Sequence, residues 1–165
     1  MSRAFVKEDD ANAGVVPLPD RPISPHRNLV TRRGLELIDH QIAQHQHDLA
    51  RATVAADREA VARASRELRY WTARRATAEL AEPGQDAESV VFGTRVTLLR
   101  EDDTQMTLRI VGEDETDPAS GRIAWTAPVA RALLGSELGD VRELPTGSVE
   151  VLAIDGTPEP LDEKS

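Results

Sequence analysis

Two apolar stripes of heptad spacing, separated by a short break, constrain this chain more than any other feature. Leu35, Ile38, Ile42, His45, Leu49 and Ala52 follow a 3-4-3-4-3 rhythm, and Val61, Ala64, Leu68, Trp71, Arg75 and Ala78 repeat it. Such spacing puts each set on one face of a helix, so two helices can zip along the seam. A parallel dimer competes with this, but the break near Thr53 to Asp57 and the similar arm lengths favour a monomer folded back as an antiparallel hairpin. His45 and Arg75 are polar intruders in the seam, and His45 reads as a part-exposed residue whose ring caps the apolar stripe. Thr31 is suited to cap the first helix, because its hydroxyl can accept from an otherwise unpaired amide of the first turn.

The remainder divides around that hairpin. Residues 1–28 hold Pro17, Pro19, Pro22 and Pro25 with few apolar residues, which predicts an extended, disordered tail. The hairpin takes residues 29–82. From 83 to 157 the pattern changes to short β-type segments: Val91 to Leu99 and Gln105 to Val111 alternate as strands, Ile123 to Trp125 adds a short third, and Val149 to Ile154 closes the set. Gly112 to Gly121 is an acidic, turn-rich connection. Pro128 opens a helix at a favourable first-turn position, and Gly135 stops it. The fold class is therefore α+β: a helical coiled-coil hairpin followed by a small antiparallel sheet domain with one helix. Residues 158–165 read as a second disordered tail.

Composition removes several functions. With no cysteine there is no disulfide framework or thiolate metal site, and the four scattered histidines show no ligand spacing, so no metal is expected to bind stably to the chain alone. The opening MSRAFVKEDD lacks the apolar run of a signal peptide, and no stretch approaches the roughly 20 apolar residues of a membrane span, which predicts a cytoplasmic protein with no membrane partner. No nucleophile–base pair or phosphate loop suggests an enzyme. The net charge of −9 is unevenly placed: residues 31–82 hold nine Lys/Arg against eight Asp/Glu, residues 83–165 seven against seventeen. An acidic globular part beside a near-neutral, arginine-bearing arm suits a factor that touches a larger protein–nucleic-acid machine better than a duplex-DNA binder, which needs a basic face. The same acidity also serves solubility.

The stretch from Val90 to Ile154 resembles the C-terminal domain of the bacterial Gre transcript-cleavage factors, above all in RIVGEDE (109–115), APVARALLG (127–135) and the ELGD turn (137–140). NLVTRRGLELI (28–38) is similar to the lead-in of the family's first long helix, where a threonine and a glycine precede it. The resemblance implies an FKBP-like fold for the domain, and RNA polymerase as the partner. In the family the domain docks on the polymerase while the hairpin reaches into its secondary channel. Asp114, Glu115, Pro128 and Arg131 are the docking candidates it suggests. Isomerase activity is not implied, and the few aromatic residues offer no pocket for a prolyl substrate.

In that family two acidic residues at the hairpin tip help hold a magnesium ion of the polymerase, whose own nuclease reaction then cuts the 3′ end of backtracked RNA. Carboxylates suit the task as hard oxygen ligands. The matching residues here are Asp57 and Glu59, and the magnesium would be the polymerase's. The tip departs from the family's Gly-Asp-x-x-Glu-Asn-Ala: it reads Ala55-Ala56-Asp57-Arg58-Glu59-Ala60, with no glycine and with acids two apart. The arms are also shorter, and losing seven residues from each would withdraw the tip by about 10 Å. Asp57 has an equally good role as N-cap of the second helix, with Glu59 favourable in its first turn. Arg63, Arg66 and Arg69 form a ridge on the second helix that can meet the phosphates of the nascent RNA 3′ end or acidic channel walls; the alternative is a solvated face interleaved with Glu67. Two functions stay open: an elongation factor acting on paused or backtracked polymerase, and a channel-occupying regulator that does not stimulate cleavage, similar to the regulator of nucleoside diphosphate kinase.

Overall fold

The computed structural model describes residues 17–161. The chain enters through a two-residue strand β1 (Leu29–Val30), forms helices α1 (Arg32–Val54) and α2 (Arg58–Thr77), and leaves through β2 (Glu79–Leu80). Strands β1 and β2 pair in parallel, Leu29 with Glu79 and Val30 with Leu80, so the arm is clamped where both ends meet the domain. At 23 and 20 residues the helices are roughly 35 and 30 Å long.

The turn between them is tight because one motif ends α1 and the next begins α2 without a spacer. The Asp57 amide donates to the Ala52 carbonyl and the Ala56 amide to the Thr53 carbonyl, at 3.0 and 3.1 Å, which is the Schellman pattern that satisfies the last carbonyls of a helix. Ala56 takes the left-handed residue that motif requires, with φ of 54°. Glycine usually fills such a position because an L side chain there costs about 1 kcal/mol or more.

The seam is as the periodicity predicts in outline, with Ile38, Ala52, Ala64 and Trp71 buried. It differs in two places. Leu68 is half-buried, and Arg75, the expected intruder, is exposed and pairs across the arm with Asp39 of α1, whereas its neighbour Arg74, only 2 % exposed, turns to the sheet domain.

Beyond the arm, β3 (Arg95–Arg100), β4 (Gln105–Val111), β5 (Arg122–Ala124), β6 (Val141–Leu144) and β7 (Gly147–Asp155) form one sheet in the order β5-β4-β3-β7-β6. The sheet is mixed: β4 and β5 run parallel, and every other pair is antiparallel. Its inner face and helix α3 (Pro128–Leu133) enclose a core of Val90, Val96, Leu98, Ile110, Leu133 and Val151.

Both expected tails are more engaged than composition suggests, although residues 1–16 and 162–165 lie outside the described residues. Pro17 to Asn28 is extended but lies along α2, with Arg21 paired to Glu67 at 2.6 Å. At the other end Glu159 accepts from Arg122 at 2.7 Å. Burial would raise that carboxyl, but the Arg122 hydrogen bond and the charges of Arg122 and Arg109 outweigh it and hold Glu159 below its ordinary range.

Candidate functional site: tip, arginine ridge and joint

At the tip, Asp57 Oδ1 accepts from the Ala60 amide at 3.0 Å, the N-cap geometry that satisfies a free donor of the first turn of α2. Its backbone amide is already used by α1, so this one residue ends one helix and begins the next. Glu59 is 79 % exposed and pairs loosely with Arg63, 3.6 Å away and one turn on. Capping occupies one oxygen of Asp57 and leaves the other carboxylate oxygen able to accept, so a cap can also serve as a ligand. An open groove of about 500 Å³ runs beside the tip, lined by His45, Asp48, Asp57, Arg63 and Glu67 among others. Among the described residues no three His, Asp or Glu side chains converge to hold a metal ion.

The arginine ridge is present, but its members have different partners. Arg66 donates from Nε to the Pro19 carbonyl at 2.6 Å, and Arg69 to Asp20 Oδ1 at 2.7 Å. Arg63 faces Glu59. The segment expected to be a free tail therefore lies on the surface expected to meet RNA or the channel wall.

Two of the four docking candidates turn out to be internal. The sheet domain meets the arm through a 3-10 turn, Glu113–Glu115, which follows β4. Glu115 is only 4 % exposed and accepts from the Thr31 hydroxyl, the Thr31 amide at 3.1 Å and the Gly112 amide at 3.0 Å. Thr31 in turn caps α1 by accepting from the Gly34 amide at 3.1 Å. A buried carboxylate thus sits at the positive end of α1, where the helix dipole and three donors offset its desolvation. Asp114 accepts from Tyr70 Oη and Arg74 Nε, both at 2.5 Å, with Arg74 and Asp114 side chains 2 and 8 % exposed. Burial and the Asp114 hydrogen bond push the Tyr70 phenol up to about 12. Glu113 accepts from Ser24 and Thr126, each at 3.1 Å. Each acid of RIVGEDE therefore holds a different part of the arm or its approach, and Asp114 and Glu115 are joint residues with little surface to offer a partner. Pro128 and Arg131, by contrast, are exposed on α3, and the exposed apolar side chains Leu138 and Val141 follow them in the domain.

Sequence reasoning did not find this joint. The spacing did not single out Arg74, whose partners Glu113 and Asp114 lie in the sheet domain.

With this geometry in place, comparison with known proteins places the sheet domain. The family described as Transcription elongation factor, GreA/GreB, C-term, matches residues 85–155. The transcription elongation factor GreB of Neisseria meningitidis serogroup B is 36% identical over 96 residues, covering 54% of this chain and 59% of that protein. GreA of Pseudomonas putida is 48% identical over 64 residues, 37% of this chain and 40% of that protein. The chain thus spans less than two thirds of the curated relatives it matches. Among solved structures, the GreA factor homolog 1 of Thermus thermophilus superposes with a TM-score of 0.38 at 21% identity, over 79% of this chain and all of that one.

Proposed function

We propose that this chain, which carries a GreA/GreB C-terminal domain over residues 85–155, binds RNA polymerase by its secondary channel and acts on paused or backtracked elongation complexes. The observation that supports this most is the family domain itself, joined through its acidic turn to a two-helix arm of 23 and 20 residues. A rod about 30 Å long, clamped at one end, suits a channel rather than a flat surface.

The sheet domain docks through α3, where Pro128 and Arg131 are exposed, and the arm enters the channel tip first. The protein supplies position, and the polymerase supplies the chemistry and its magnesium. The tip carboxylates open to that ion are Asp57 and Glu59, both exposed, and Asp57 serves first as the cap of α2, with one oxygen outside the cap. Such a factor works in the cytoplasm, and among the described residues no helix is long and apolar enough to cross a membrane.

The test uses the full chain with core RNA polymerase and a backtracked elongation complex. Co-elution with the polymerase, reduced tenfold or more by Arg131→Glu, is expected, and a change in RNA length on a gel reports cleavage. Binding with RNA left intact or protected would assign the channel-occupying role instead. Failure to bind polymerase at all would refute both readings.

A further inference from the structure

The segment laid along α2 divides into two parts with different holding forces. From Arg21 onward it is anchored. The Arg21 guanidinium stacks 3.6 Å from the centre of the Tyr70 ring and pairs with Glu67, Ser24 reaches Glu113, and Asn28 is buried with its amide on the Arg74 carbonyl at 2.7 Å. Among the described residues before Arg21 the hold is slight. Pro17, Leu18, Pro19 and Asp20 are all exposed, and among the described residues the polar contacts of these four are those of Pro19 and Asp20 with Arg66 and Arg69. The Asp20 and Arg69 side chains are 70 and 55 % exposed, and ion pairs so open to water contribute little.

What these two residues present to the ridge is a carbonyl oxygen and a carboxylate oxygen, each held by one guanidinium on neighbouring turns, Pro19 by Arg66 Nε and Asp20 by Arg69 Nε and Nη2. That is the chemistry of a chain of phosphate oxygens. We infer that Pro19 and Asp20 are a built-in competitor for an RNA site: single-stranded RNA displaces them from Arg66 and Arg69 and takes up the same two guanidinium groups, while the chain from Arg21 on stays docked. The prolines suit this division. Pro19 and Pro22 restrict the backbone on either side of the junction at Arg21. The strap thus occupies Arg66 and Arg69 in the free protein and yields them where RNA is concentrated. This inference rests on the reading of the ridge as a surface for the nascent RNA, not on polymerase binding, and is tested without polymerase, so it and the proposed function can fail separately.

The experiment titrates a labelled single-stranded RNA oligonucleotide with the full chain at low salt and reads anisotropy. Asp20→Asn removes the competing charge and is expected to tighten binding about two- to fivefold, the range that an exposed ion pair spans. Arg66→Gln with Arg69→Gln should weaken binding and make Asp20→Asn silent when combined with it. In NMR spectra of the wild type, the Arg66 and Arg69 Nε–H signals should shift on adding RNA while the Trp71 indole signal stays in place. Unchanged or weaker binding by Asp20→Asn overturns the inference, as does a ridge variant that binds RNA like the wild type. Displacement of the RNA by a polyglutamate peptide as effectively as by unlabelled RNA would show a site selective only for charge, and would equally overturn it.

Discussion

A Cβ placed on Gly34 would lie 2.2 Å from Glu115 Cδ and 2.3 Å from one of its oxygens. The arm and the sheet domain approach each other so closely here that only a residue without a side chain leaves room for the carboxylate. On helix propensity alone, Gly34→Ala should stabilise α1 by up to about 1 kcal/mol. We expect the opposite, a loss on the order of 2 kcal/mol, because Glu115 would be driven from its three donors. The check is a double-mutant cycle in denaturant: in a Glu115→Ala background the clash is gone, and Gly34→Ala should become neutral or stabilising. Additive effects would show that the two residues do not meet.

Tyr70 is the one tyrosine of the chain, so phenolate absorbance reports it alone. Burial and Asp114 raise it from 10.0 to about 12. Below pH 10 folded and unfolded chains both carry the neutral phenol, and its full contribution to stability is present. Between about 10 and 12 the unfolded chain ionises first, so stability falls as pH rises across that window. Asp114→Asn should lower the transition part of the way toward 10, since burial remains. A wild-type transition near 10 would mean that the joint is open in solution.

The arm and its caps were legible in the sequence because they are written in neighbouring residues: Thr31 and Asp57 cap helices within three positions of themselves. The joint was not legible, because its partners are 40 residues apart for Arg74 and Asp114 and 84 for Thr31 and Glu115. Three consecutive acids after a strand look the same whether they face water or a buried arginine. The proline-rich segment reads as a tail because composition counts what a segment can bury by itself, and here the holding groups, Glu67 and Tyr70, belong to α2. The parallel β4–β5 pair follows from the crossover through the 3-10 turns, which alternation of side chains does not encode.

Burial along the seam sets a ranking of truncations. Trp71 is 8 % exposed and packs with Val30 and Ile38, so Trp71→Ala should cost about 3 to 5 kcal/mol. Leu68 keeps an open side, and Leu68→Ala should cost less than about 2 kcal/mol. Thermal melts followed by helical circular dichroism distinguish them, and an equal loss at both sites would mean that the seam is rotated toward Leu68.

The tip carries the most consequential substitution. Asparagine caps a helix about as well as aspartate, whereas alanine forfeits about 1 kcal/mol. Asp57→Asn should therefore leave stability unchanged, and Asp57→Ala should lower it by about that amount, since Asp57 holds the Ala60 amide. Activity on backtracked polymerase separates the carboxylate's two roles. If Asp57 serves the polymerase's magnesium, cleavage falls in the normally folded Asp57→Asn protein, because the amide keeps the cap and loses the charge that a hard cation needs. If it only joins the helices, both variants act like the wild type once stability is allowed for. The backbone favours the joining role: the Asp57 amide closes α1, its side chain opens α2, and Ala56 beside it is in the left-handed conformation needed for so short a turn. We therefore expect Asp57→Asn to leave RNA length on the gel unchanged, and a loss of cleavage in that variant would assign its free oxygen to the metal.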